Sequence, residues 1–131
     1  MIVIDTSALM AITVKEAEGS ACKAAIAEAD HSLIAAPTVT EALIVAHGRG
    51  VLEAMRTAIG RIGAEIVPLT EARAIQAADA YRRYGKGWHA ASLNYGDSFA
   101  YALAMEYACP LLYVGRDFGL TNVRSALDSR D

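Results

Sequence analysis

The chain has 131 residues, of which 54% are hydrophobic and 21% charged. That length supports one hydrophobic core and not two, and the apolar content excludes intrinsic disorder because it can offset the entropy of ordering a compact fold. Twelve basic and 15 acidic side chains leave a formal net charge of -3, which excludes a protein held to nucleic acid by bulk charge and leaves only a local patch for any such contact.

No uncharged run exceeds ten residues, against the roughly 18 of a membrane span. Asp5 interrupts the first apolar stretch and no basic segment precedes it, so a signal peptide is not expected either. A cytoplasmic protein is the default, read as a single module over residues 1–131. Cys22 and Cys109 have no partner at zinc-site spacing.

The first element is the β-branched run Met1 to Ile4, which stops at Asp5-Thr6-Ser7, residues that start helices. An alanine-rich helical stretch covers Glu16 to Asp30. A second buried strand, Ser32 to Ala36, ends at Pro37, and Thr38-Val39-Thr40-Glu41 opens the next helix. Gly48-Arg49-Gly50 breaks it before a further helix from Val51 to Ile62, making a helical hairpin. A third strand spans Glu65 to Leu69, with Thr70 as N-cap of a helix from Glu71 to Tyr84. Asn94-Tyr95-Gly96-Asp97 introduces a helix from Ser98 to Ala108, and the apolar run Leu111 to Val114 is a fourth strand closed by Gly115. Strands alternating with helices require right-handed crossovers. The expected class is therefore α/β: three layers, α/β/α, around a mostly parallel sheet of four to five strands.

In such a sheet ligands gather beyond the carboxyl ends of the strands. Asp5 follows the first strand, Glu41 the second and Asp117 the fourth, while Asp97 starts the helix before the last strand. Brought together, four carboxylates would repel one another unless protonated or bridged by a cation. A hard divalent ion held by carboxylates and water suits that set, and its chemistry is hydrolysis of phosphodiesters. Each residue also has a structural role open to it. Thr38 and Glu41 have capping-box spacing, Asp5 and Asp97 suit N-caps, and Asp117 suits a turn.

Val3-Ile4-Asp5-Thr6-Ser7-Ala8-Leu9, Thr40-Glu41, the run from Asn94 to Ala104 that opens Asn94-Tyr95-Gly96-Asp97, and Leu111 to Phe118 with Gly115-Arg116-Asp117-Phe118 together resemble the PIN-domain ribonucleases, specifically the VapC toxins of type II toxin-antitoxin systems. The order and spacing match over nearly the whole chain. The resemblance implies an endoribonuclease that uses Mg²⁺, with Mn²⁺ able to substitute, on Asp5, Glu41, Asp97 and Asp117. It also implies cleavage of structured RNA such as tRNA or rRNA, a homodimer, and silencing by a VapB-type antitoxin. Arg116 and Asn122 depart from the pattern, since relatives often carry an acidic or amide residue at the first position and aspartate at the second. Thr6, Ser7, Ser98, Thr121 and Asn122 are candidate donors behind the carboxylates, and several would serve equally as helix caps.

From Ala80 to Gly96 there is no acidic residue, while Arg82, Arg83, Lys86 and Trp88 stand among tyrosines. Such a segment can neutralise phosphates and stack on exposed bases, although Tyr81 and Tyr84, three apart, can equally pack on the core. His31, His47 and His89 are too scattered for a metal pair or a nucleophile's base. Leu43, Ile44, His47 and the helix after Gly50 offer apolar surface for core, dimer or antitoxin. Two alternatives stand beside the nuclease. One is a non-catalytic module on the same scaffold whose carboxylates only cap helices. The other is a haloacid-dehalogenase-type phosphatase with Asp5 as nucleophile, which would need a second aspartate where Ser7 stands.

Overall fold

The computed structural model describes residues 1–127, so the last four residues of the expected module lie outside the described residues. Four strands, β1 (Ile2–Ile4), β2 (Ser32–Ala35), β3 (Glu65–Val67) and β4 (Leu111–Leu112), form one parallel sheet in the order β3-β2-β1-β4. They alternate with helices α1 (Thr6–Thr13), α2 (Gly19–Glu28), α3 (Ala36–Gly48), α4 (Leu52–Ile62), α5 (Glu71–Tyr84) and α6 (Tyr95–Glu106), and a single 3₁₀ turn, Asp117–Leu120, follows β4.

Alternation along β1 shows how the layers arise. Val3 faces Tyr84, Leu93 and the apolar side of α6, whereas Ile2 and Ile4 face Leu9, Cys22, Ala42 and Met55 on the opposite side. All three β1 residues are buried, as a strand sandwiched between helix layers must be. Each fully buried aliphatic side chain here contributes about 1.5–3 kcal/mol relative to exposure. The result is the expected three-layer α/β/α arrangement, with four strands; an isolated parallel bridge between Leu111 and Ser125 extends the β4 edge.

Three helix starts differ from expectation by two or three residues. α3 begins at Ala36, directly after β2, with Pro37 in its first turn. Proline is tolerated there because that turn's N–H groups have no helical partner. Thr38 is therefore not a cap: it lies inside the helix, buried, and its Oγ1 has no hydrogen-bond partner among the described residues. The capping box expected for Thr38 and Glu41 does not form. α6 starts at Tyr95, three residues before Ser98, and its N-cap is Asn94, with Asp97 in the third helical position. The alanine-rich helix is shorter than expected, Gly19–Glu28.

From β1 the chain moves outward through β2 to β3, then returns to the other side of β1 as β4. That reversal opens a crevice at the carboxyl ends of β1 and β4, where ligand sites of open α/β sheets lie.

Candidate active site

Asp5 leaves β1 into that crevice. Its N–H donates to the carbonyl of Leu112 at 2.9 Å, which ties the strand end to β4. Its Oδ2 accepts from the backbone N–H of Ser7 at 3.0 Å and from the Ser7 hydroxyl at 2.6 Å, so Asp5 is the N-cap of α1. The same hydroxyl accepts from Val114 N–H at 3.0 Å. Asp5 is only 2% exposed, and its Oδ1 is buried without a partner among the described residues. Burial, and to a lesser degree the charge of Glu41, push its pKa up to about 6 against the pull of the Ser7 bonds.

Glu41 reaches the same place from α3. Thr6 donates its hydroxyl to Glu41 Oε1 at 2.5 Å. The carboxylate lies so close over α6 that a Cβ on Gly96 would collide with it. Gly96 is thus required as a seat for Glu41, and it immediately precedes Asp97. From the sequence, Gly96 falls before the helix, where a glycine calls for no explanation; its place in the first turn of α6, where glycine propensity is poor, is what singles it out.

Asp97 and Asn94 form a reciprocal capping box: Asn94 N–H donates to Asp97 Oδ2 at 3.0 Å and Asp97 N–H donates to Asn94 Oδ1 at 2.8 Å. The pKa of Asp97 is raised to about 7, chiefly by burial, opposed by the Asn94 bond and reinforced by the charges of Asp5, Glu41 and Asp117. Asp117 opens the 3₁₀ turn beyond β4 and is exposed. The four acids therefore act on one shared region, but they do not meet at one point. Among the described residues no three His, Cys, Asp or Glu side chains form a ready cage for an ion, and Asp5 and Asp97 each turn one oxygen to a backbone N–H. The donor set still fits a hard divalent cation, being all carboxylate, with the unpartnered Asp5 Oδ1 inside the crevice.

Of the supporting donors expected, Thr6 and Ser7 touch the carboxylates and three others do not. Ser98 donates to the carbonyl of Tyr95 at 2.6 Å. Thr121 donates to the carbonyl of Phe118 at 2.7 Å, closing the 3₁₀ turn. Asn122 accepts from the Tyr101 hydroxyl at 2.5 Å, so this amide is engaged by α6. Among the described residues no histidine bonds to the four acids: His31 lies 2.9 Å from Glu65, His47 is in the last turn of α3, and His89 accepts from Ala91 N–H.

Arg82, Arg83, Lys86 and Trp88 are all exposed. Arg82 pairs with Asp79 at 3.3 Å and Arg83 lies over the Tyr84 ring. Tyr84 is buried in the core, as the packing reading had it, while Tyr81 stands edge to face with Trp88.

The family model described as PIN domain matches residues 2–123. Ribonuclease VapC28 of Mycobacterium tuberculosis is 38% identical over 132 residues, covering 98% of this chain and 99% of that protein. The chain belongs to the PIN-domain family and, within it, to the VapC ribonucleases. Among solved structures, M. tuberculosis VapC20, a sarcin-ricin-loop-cleaving toxin, superposes with a TM-score of 0.77 at 16% identity, covering 94% of this chain and 96% of its own. A toxin-antitoxin complex from Klebsiella pneumoniae gives 0.66 at 18%, covering 90% of each chain. Both show the same fold. Membership of this family removes the phosphatase alternative.

Proposed function

We propose that the protein is the toxin of a type II toxin-antitoxin pair and acts as a Mg²⁺-dependent endoribonuclease, with Mn²⁺ able to substitute, on structured RNA such as tRNA or rRNA. The observation that carries this reading is the buried Asp5 carboxylate, one oxygen of which has no partner, in a crevice charged by Glu41, Asp97 and Asp117. Asp5, Glu41, Asp97 and Asp117 would hold the ion. When bound, a divalent cation supplies an activated water and neutralises charge growing on the phosphodiester.

The chain's own residues prepare that site. Ser7 fixes Asp5 by two bonds and anchors itself on Val114 N–H. Thr6 holds Glu41 by a hydrogen bond, and Gly96 leaves the room its carboxylate occupies. Asn94 holds Asp97 in the first turn of α6, whose amino-terminal dipole favours an approaching phosphate. Arg82, Arg83, Lys86 and Trp88 provide the contact with RNA.

The capping roles of Asp5 and Asp97 favour a non-catalytic module, but capping does not explain a glutamate lodged against a helical glycine. Its VapC relatives and the antitoxin-bound Klebsiella neighbour support an antitoxin partner. Ile44, Leu69 and Tyr95, all exposed around a groove of about 530 Å³ beside Glu41, support a homodimer covering that surface. A cytoplasmic location goes with an RNA substrate; among the described residues no helix is long and apolar enough to cross a membrane.

The test is incubation of the purified, antitoxin-free chain with total RNA, with Mg²⁺, Mn²⁺ or chelator, beside Asp5→Asn and Asp97→Asn. Cleavage that needs the metal and disappears in both variants is expected. Cutting that persists in chelator or in either variant would overturn the assignment, and mapping of the fragment ends names the RNA.

A further inference from the structure

The segment Gly85 to Leu93 is closed at its base. Lys86 N–H donates to the carbonyl of Leu93 at 2.8 Å, and Leu93 N–H donates to that of Tyr84 at 3.0 Å. Inside it, His89 N–H donates to the carbonyl of Gly85 and Ala91 N–H to His89 Nδ1. Gly85 is obligatory, because a Cβ there would collide with the carbonyl of Tyr81 and press on the Trp88 ring.

On this loop stands the only tryptophan of the chain. Its Nε1 donates to the carbonyl of Arg82 at 2.7 Å. Its ring meets Tyr81 at 85° with centroids 5.2 Å apart, yet Trp88 remains 58% exposed. The indole is thus held in one orientation with its single polar atom already used, so what it shows to solvent is apolar. An oriented, uncovered aromatic ring contributes no core packing that would explain it, and it has little rotamer freedom left to lose on binding.

We propose that Trp88 is a stacking platform for one unpaired nucleobase of the RNA substrate. This rests on the nuclease reading and adds which feature of the RNA is recognised. Arg82, Arg83 and Lys86 lie within six residues of Trp88 and are exposed, and no acidic residue occurs between 80 and 96, so this segment carries charge that complements a polyanion, although Arg82 also pairs with Asp79. Base stacking needs an exposed π-face, which a loop or bulge supplies and a continuous duplex does not. The loop runs directly into Asn94, the cap that holds Asp97. Platform and crevice are therefore joined by a hydrogen-bonded helix start and not by a free hinge.

Trp88 emission reports the contact without any variant. A 2′-O-methyl octanucleotide, which resists cleavage, is titrated in chelator as a single strand and as a duplex, with binding followed separately by anisotropy of an end label. Quenching by the single strand at saturation, and none by the duplex, is expected. Trp88→Ala should weaken single-strand binding by about ten- to one-hundredfold and Trp88→Phe by less. Unchanged emission while the labelled strand is bound would overturn the platform, as would full affinity in a natively folded Trp88→Ala. Emission that responds only to an antitoxin peptide would equally overturn it, making the ring a protein contact. A chain that cleaves RNA with a silent indole sinks the platform alone, whereas one that neither binds nor cleaves any RNA with Mn²⁺ sinks the nuclease reading as well.

Discussion

The acidic crevice and the loop that leads into α6 carry opposite charge and are built in opposite ways. In the crevice, charge is buried: Asp5 and Asp97 hold their protons up to about pH 6 and 7, and one Asp5 oxygen has no partner. In the loop, the backbone is closed by hydrogen bonds while Lys86, with Arg82 and Arg83 in the last turn of α5, stays in solvent. Desolvated charge costs stability and solvated charge does not. Substitutions in the crevice should therefore trade function against stability, and substitutions of the exposed cations in and beside the loop should change binding alone.

The largest effect expected is for Asp5→Asn. Cleavage should fall by at least about a hundredfold, yet metal-free stability at pH 8 should rise. A carboxyl whose pKa moves from 3.8 to about 6 loses about 3 kcal/mol on ionising in the fold. The amide recovers only part of that, because its NH₂ takes the place of the unpartnered Oδ1; a gain of about 1 kcal/mol is expected. Urea unfolding checks it, and a loss of stability would break the contrast.

Gly96→Ala comes next. The clash is with the end of a flexible side chain, so Glu41 can swing away, and alanine is the better helix former. The melting temperature should hold or rise while cleavage and Mn²⁺ affinity fall by about tenfold or more, as read by calorimetry. A destabilised variant with unchanged metal affinity would show that Gly96 serves packing only.

The pH dependence is a third test. Asp5 and Asp97 bind protons more tightly folded than unfolded, so the stability they contribute is fully present below about pH 4 and is lost as pH rises through about 6 and 7. In chelator the melting temperature should fall across that window. Saturating Mn²⁺ at pH 8 should restore it, since an ion that binds only the folded state stabilises it. The smallest effect is for Lys86→Glu, which should leave unfolding within about 0.5 kcal/mol. RNA affinity should weaken, and the slope of log K against log salt should lessen by about one.

Much of this was legible in the chain itself. The strands showed as short apolar runs, and α5 has the expected bounds with Thr70 capping it, because period and cap are local signals. α3 was misplaced by two residues, since Pro37 reads equally as the end of a strand or the first turn of a helix. The links that shape the crevice were not legible. Thr6 to Glu41 and Ser7 to Val114 span 35 and 107 positions, and a hydroxyl carries no mark of which distant group it will meet. Nor was it legible that Ser98 would donate to the Tyr95 carbonyl, Thr121 to the Phe118 carbonyl, and Asn122 accept from the Tyr101 hydroxyl.

The order of the sheet has a consequence for biosynthesis. β1 is the first strand made, but one of its neighbours, β4, is the last, and Asp117 lies beyond β4. A chain ended before β4 lacks Asp117 and the Leu112 and Val114 groups that anchor Asp5 and Ser7. The surroundings of Asp5 are therefore complete only after the β4 segment has been made and has paired with β1.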